Sequence, residues 1–508
     1  MHWAFKIAQD IIAKRPDLPV YTVACGMTPS GNVHIGNYRE FITNYYVAKA
    51  LHMLGKPVRM IFSWDDYDRF RKVPKGLGVD ETFSQHLGKP VSAVPNPFDS
   101  DAKTYAGHFE NIFQNMLTAF GNTEIPVEFI YQHKKYTNGD YNQQIIHAIK
   151  NRKKIYDIID SFKTKGDTPE DGEDAKREDY YPVAVYCKTC GKDFTKALSF
   201  NEKTNILEYE CKEDKSTHKV DVTTANNIKL VWKVDWPMRW KYENVVFEAA
   251  GIDHHSEKGS FAIGRRIIRE IFNYPVPETC VYAWNGIKGV CKGNMSSSSG
   301  INITPQELLK VYEPEIIRWL FAKYHHTDSF DFGFDDIVAR HYTEFDRNIA
   351  AYIEGKACEY EKAYMDLALF DKPIIKTPFA TISTIAPVVA FDFKKSGLSA
   401  DCRERFTKAQ YWLENYMHDK IYKMLPKFNT KYYKTLSDSE KNILSLLSSA
   451  LVSGVEKPFY STMKANNANI KRYSAIMNNL LFGRDDGPRL DLYLGAAGKN
   501  AVLKLLNQ

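Results

Sequence analysis

Residues 20 to 37 constrain this chain more than any other stretch. VYTVAC, at 20 to 25, is short, apolar and β-branched, so it reads as a buried strand. It runs into GMTPSGNVHIGN, a turn of Gly, Pro and Ser, and an amphipathic stretch follows from about 36 to 54. A second apolar run, VRMIFSW at 58 to 64, comes after GKP and ends in Asp65, Asp66 and Asp68. Strand, turn, helix and strand make a βαβ unit, and such units build parallel sheets. At the turn, Gly31 and Gly36 let a ligand approach the backbone, and the new helix presents unpaired N–H groups and its positive dipole end to a phosphate. His34 adds a side-chain donor there. Locally, a purely structural histidine explains the same residues.

The alternation continues. Helical patterns near 102 to 120 and 139 to 162 flank a strand candidate at 127 to 132, and strand-like segments return at 228 to 235 and 244 to 249. A helix near 258 to 273 and a strand near 279 to 284 follow. Between the two halves, residues 163 to 179 are dense in charge and nearly devoid of apolar side chains, so they read as a solvated loop entering an insertion. Beyond about 340 the pattern is helical, at 343 to 369, 400 to 424, 436 to 453 and 458 to 482.

With 508 residues, two or three cores are expected. We read a Rossmann-type α/β parallel-sheet domain at 1–160 and 222–340, split by an insertion at 161–221 and followed by an α-helical region at 341–508. Net charge is a mild +6, which permits a polyanionic partner through local patches without demanding one. The N-terminus lacks a signal-peptide run and no stretch reaches the ~18 apolar residues a bilayer span needs, so a cytoplasmic protein away from membranes is expected.

Eight cysteines are too few for a disulfide scaffold in so long a chain. Cys187-Lys188-Thr189-Cys190 instead has the two-residue spacing of a metal knuckle, with Cys211 and His218 downstream. Three thiolates and an imidazole suit tetrahedral Zn²⁺ in a closed structural site, which would fold an insertion too small for a large core. Buried cysteines without metal are the other reading.

His34-Ile35-Gly36-Asn37 resembles the HIGH motif of class I aminoacyl-tRNA synthetases, and Asn294-Met295-Ser296-Ser297-Ser298-Ser299-Gly300 resembles their KMSKS loop. Between them, Gly251-Ile252-Asp253-His254 is similar to the family's G-x-D element. GMTPSGNVHIGNYREF (26–41), SWDDYDRFRKVP (63–74), VWKVDWPMRW (231–240), GIDHHSEKGSF (251–261) and NGIKG (285–289) are similar to the class I lysyl-tRNA synthetases in particular.

The resemblance implies ATP-dependent activation of L-lysine with Mg²⁺, release of pyrophosphate and transfer to tRNA(Lys), with tRNA needed for activation. It places His34, Gly36, Asn37, Gly251, Asp253 and Met295 against ATP, with Lys292, Ser296, Ser297 and Ser298 serving catalysis from the second loop. Gly26, Thr28, Asp65, Trp232, His254 and Tyr282 would bind lysine. A diammonium substrate needs anionic acceptors and an aromatic or apolar wall, which these residue types supply. The insertion would face the tRNA acceptor end and the helical region the anticodon, where Lys423, Lys427, Lys431, Tyr432 and Tyr433 could stack on bases and neutralise phosphates. A monomer is expected.

The second loop departs from the family form. Asn294 and Ser299 stand where lysines usually stabilise the departing pyrophosphate, leaving Lys292 or Lys288 to supply the charge. That departure motivates one rival, a synthetase paralogue that has lost activation; the helical C-terminal half also suits a glutamyl-type enzyme, and the His-Gly turn a nucleotidylyltransferase. The last needs neither a zinc insertion nor a helical tail.

Overall fold

The computed structural model describes residues 1–73, 78–121, 123–163, 175–252, 254–256, 259–288 and 304–506. Its centre is a four-stranded parallel sheet. Strands β1 (Tyr21–Met27), β2 (Val58–Trp64) and β3 (Val127–Tyr131) lie in the order β3, β2, β1, followed by Val245–Glu248. All three pairings are parallel, with Tyr21 opposite Val58 and Thr22 opposite Val245. This order reverses direction between β1 and Val245–Glu248, the crevice where open α/β sheets bind ligands beyond the strand ends. Ala250–Gly251 continues the last strand and pairs in parallel with Val281–Tyr282.

Helix α1 (Trp3–Lys14) and helix α2 (Ile35–Met53) pack on each other, and α2 also covers β1 and β2. Every residue of α2 from Phe41 to Leu51 is buried, including Thr43, Asn44 and Lys49. The helix is central, with sheet on one side and the helix Pro314–Lys323 on another.

Several elements differ from the sequence expectations. The strand expected over 228 to 235 stops at Leu230, and Trp232–Tyr242 is a helix with Pro237 inside it. Its residues Val234 to Trp240 are all buried, so polar and apolar positions do not alternate with helical period and the segment imitates a buried strand. The helix expected over 139 to 162 breaks into Asn142–Lys150 and Arg152–Asp160 at Asn151. The one over 343 to 369 breaks at Gly355, whose φ is +68°, into Ile337–Ile353 and Glu359–Ala368. A positive φ there is available to glycine at no steric cost. The parallel pair Asn285–Lys288 with Phe330–Gly333 had no counterpart in the sequence reading.

The inserted segment carries a three-stranded antiparallel sheet (Thr195–Asn201, Ile206–Cys211, Thr217–Asp221). Its stem is the antiparallel pair Val183–Val185 with Ile228–Leu230. One hydrophobic core runs from Trp3 through α2 and the sheet to Trp412 and Leu413. A second joins the opposite sheet face to the insertion, and a separate helical core spans Leu436 to Val502.

Candidate functional site

At the C-terminal ends of β1 and β2 lies a cavity of about 600 Å³. Gly26, Thr28, Asp65, Trp232, His254 and Tyr282, drawn from five separated stretches of chain, all line it. The sequence reading thus named residues that the fold brings together. Gly26 sits where β1 meets β2: a Cβ there would lie 2.5 Å from the Ser63 carbonyl oxygen, so the strand packing itself requires glycine. Gly251 is paired with Tyr282 across neighbouring strands.

The phosphate-turn residues form a closed local arrangement. His34 is the N-cap of α2; its Nδ1 accepts from the Gly36 N–H at 3.1 Å, while Asn37 Oδ1 accepts from the His34 N–H at 2.9 Å. This is a capping box with histidine in the usual Ser/Thr place. Burial pushes the imidazole pKa down to about 4, so it is neutral near pH 7. A neutral ring that accepts at Nδ1 carries its proton on Nε2, which makes His34 a neutral donor there. A Cβ at Gly36 would come within 2.9 Å of that ring, so Gly36 is needed first for His34 to fold back over the helix end.

The acidic cluster after β2 is largely buried and partnered. Asp65 accepts from Arg239 at 2.7 Å, and Asp68 pairs with Lys229 at 2.6 Å while accepting from the Thr28 hydroxyl at 3.3 Å. Asp66 is fully buried and takes the His133 backbone N–H and ring. Asp235, from the Trp232–Tyr242 helix, completes the network with Lys229, Arg239 and Tyr136. Burial pushes Asp65 up to about 6 against the pull of Arg239. Burial opposes the Lys229 charge too, but Asp68 and Asp235 hold its pKa well above the usual lysine range. Asp65, Asp68 and Asp235 are therefore held by protein cations, and Asp66 by His133. Three acids, Asp65, Asp68 and Asp235, and two bases, Lys229 and Arg239, thus form one network beside the cavity.

A further acid was missed by sequence reasoning. Glu40, one turn into α2, lines the cavity, accepting from the Gly26 N–H at 3.3 Å and from the Tyr282 hydroxyl at 3.2 Å. Burial pushes its pKa up to about 8, with Glu248 adding repulsion against those two donors. Glu248 also lines the cavity, accepts from Trp240 Nε1 at 2.6 Å, and is raised by burial. The available signal was position: Glu40 lies four residues after Gly36, on the helix face beside the phosphate turn. The aromatic wall comprises Trp232 stacked on Trp236 at 5.1 Å, with His254 edge-on to Trp236 at 5.6 Å. Asp253, Lys292, Asn294, Met295, Ser296, Ser297, Ser298 and Ser299 lie outside the described residues. The helix start expected just after that loop is present: Thr304 caps Pro305–Leu309 by accepting from the Glu307 N–H.

In the insertion, Cys187, Cys190 and Cys211 present sulfurs all within 4.8 Å of one another, with Cys190 and Cys211 3.7 Å apart. Sulfurs ~2.3 Å from a tetrahedral zinc lie about 3.7 Å from each other, so the donor set fits. His218 belongs to a second triad with Cys187 and Asp214, at 3.8 Å from Cys187 Sγ, while Asp214 Oδ2 is 3.2 Å from that sulfur. Asp214 was missed, although Cys211-x-x-Asp214 repeats the spacing of Cys187-x-x-Cys190. Either side chain is within reach of the fourth position.

The family profile described as tRNA synthetases class I (K) matches residues 1–369. Over its whole length the chain is 34% identical to a lysine–tRNA ligase of Streptomyces coelicolor, covering 98% of that protein. It is 33% identical to one of Treponema pallidum, covering 98% of it, and 31% to one of Thermococcus kodakarensis, covering 99%.

Proposed function

Given that the chain belongs to the family of class I (K) tRNA synthetases, we propose that it activates L-lysine with ATP and transfers the lysyl group to tRNA(Lys). The observation that carries the amino-acid choice is the buried Glu40 carboxyl in the cavity wall, where it accepts from Gly26 and Tyr282. Burial raises the Glu40 pKa, with Glu248 adding repulsion, and among the described residues Glu40 forms no ion pair, so a substrate ammonium would supply the countercharge. Asp65 then acts by holding Arg239 and the cavity wall. Trp232 and His254 flank the four-carbon stem.

ATP with Mg²⁺ enters at the α2 end. The His34 Nε2 donor and the Asn37 amide meet phosphate oxygens beside the helix dipole, and Gly251 and Asp253 meet the ribose. By the family resemblance Met295 would contact ATP, and Lys292 with the hydroxyls of Ser296, Ser297 and Ser298 would stabilise the departing pyrophosphate. No covalent enzyme intermediate is needed, so positioning and charge neutralisation carry the rate.

Cys187, Cys190, Cys211 and either His218 or Asp214 would hold zinc, which supplies cross-linking of the insertion. The insertion meets the acceptor end of the tRNA. The separate helical core from Leu436 onward meets the anticodon, supported by the excess of Lys and Arg over Asp and Glu after residue 416. We read the protein as a cytoplasmic monomer.

Lysine-dependent ATP–pyrophosphate exchange, with and without tRNA, tests this reading. Exchange that needs lysine and tRNA together supports it. Exchange with another amino acid and none with lysine overturns it, and silence with every amino acid favours a paralogue without activation.

A further inference from the structure

The metal knuckle and the cavity share a wall. Cys187 and Cys190 belong to a tight loop closed by two backbone bonds, Cys187 N–H to Lys192 O at 2.9 Å and Gly191 N–H to Cys187 O at 2.8 Å. The residues that bracket this loop, Tyr186 and Asp193, both line the cavity. Tyr186, immediately before the first ligand, is buried and donates its hydroxyl to the Tyr67 carbonyl at 2.6 Å. Its ring meets Tyr67 edge-on at 4.9 Å. Tyr67 lies between Asp66 and Asp68.

On the other side of the knuckle, Asp193 donates its N–H to the Gly88 carbonyl at 2.8 Å, and its carboxylate sits 3.4 Å from Arg69. Gly88 has φ +85° and no room for a Cβ against Phe194, so the contact is close-packed as well as hydrogen-bonded. A third tie fixes Tyr186 to Asn227, through Tyr186 N–H to Asn227 O at 2.8 Å and Asn227 Nδ2 to Tyr186 O at 2.7 Å. Asn227 leads directly into Lys229, the cation of Asp68.

We propose that a metal held in the Cys187–Cys190 knuckle is a positioning element of the amino-acid cavity, acting through Tyr186 and Asp193 on the 65–71 segment and on Lys229. The proposal rests on the lysine reading above. Closing the knuckle sets the separation of Tyr186 from Asp193, and those two residues hold the backbone that carries Asp65, Asp68 and Arg69. Removing the metal frees that separation. The role thus exceeds folding of an appended ribbon, and it is reciprocal: a ligand that orders the wall tightens the metal by the same factor that the metal tightens the ligand.

The test uses the full chain loaded with zinc, with lysyl-sulfamoyl-adenosine as the probe. Zinc transfer to a chromophoric chelator is timed with and without saturating probe, and probe binding is followed separately by calorimetry. The wild type should release zinc about fivefold more slowly when the probe is bound. Tyr186→Phe should keep its full zinc content, lose that slowing, and raise the lysine KM about fivefold with kcat within about twofold. Asp193→Asn should do the same, which covers the case where one variant misfolds. Bound probe with an unchanged release rate overturns the coupling, as does a zinc-replete Tyr186→Phe protein with wild-type lysine KM. A chain that neither contains nor takes up zinc overturns it too. Failure of the wild type to bind the probe overturns the lysine reading itself, and this proposal with it.

Discussion

The Glu40 carboxylate and the Tyr282 hydroxyl, separated by 242 positions in sequence, meet at 3.2 Å in the cavity, where Tyr282 donates to Glu40 Oε2. The pair joins helix α2 to the strand beyond the sheet's reversal point.

Removing the Glu40 charge should strike lysine and spare ATP. A charge-assisted contact in a buried site is worth about 1.5–3 kcal/mol, so Glu40→Gln should raise the lysine KM by roughly 10- to 150-fold. Initial-rate exchange kinetics with tRNA present measure it. An unchanged lysine KM would take Glu40 out of the binding site.

The same carboxyl predicts a pH profile. With a pKa of about 8, Glu40 is mainly protonated below that value, and only its ionised form accepts an ammonium without releasing a proton. Apparent lysine affinity should therefore rise about tenfold per unit from pH 6 toward 8 and level off above. Glu40→Gln should flatten the slope. A flat wild-type profile over that range would contradict the assignment.

Gly36→Ala tests the His34 arrangement. The added methyl meets the imidazole at 2.9 Å, so the ring must leave its cap. We expect a stability loss of about 1 kcal/mol and a kcat at least ~10-fold lower, with little change in lysine KM. Thermal unfolding and exchange rates check both halves. Unaltered kcat would leave His34 a structural cap only.

The join between the sheet core and the later helices rests on buried Arg405, which pairs with fully buried Glu313 at 2.7 Å and partly buried Asp346 at 2.8 Å. Arg405→Met removes the countercharge of Asp346 and one of the two cations on buried Glu313, Lys376 at 2.7 Å being the other, and should cost about 3 kcal/mol, seen as a lowered unfolding midpoint. A double variant that also carries Glu313→Gln should recover part of the loss, and failure to recover any would show that packing rather than charge is at stake.

Much of this molecule was legible in short windows. β1, the Gly-rich turn and α2 follow from local apolar pattern, glycine and capping, and the Cys-x-x-Cys pair announces itself by spacing. The Trp232–Tyr242 helix was not legible, because burial on all sides erases helical periodicity and leaves an apolar run that looks like strand. Asp65 reads from the sequence as a lysine ligand; that Arg239, His133 and Lys229 engage Asp65, Asp66 and Asp68 is visible only in the fold.

By itself, then, the sequence determined the parallel α/β core, the phosphate turn, the thiolate knuckle and the kinship with synthetases, since each depends on residues close together in the chain. Only the tertiary structure decided that Glu40 is buried in the cavity wall between Gly26 and Tyr282, that Tyr186 and Asp193 tie the cysteine knuckle to that cavity, and that Asp214 stands beside Cys187. Those relations are set by burial and by contacts between distant segments, and charge acquires its chemical meaning from the neighbours that folding supplies.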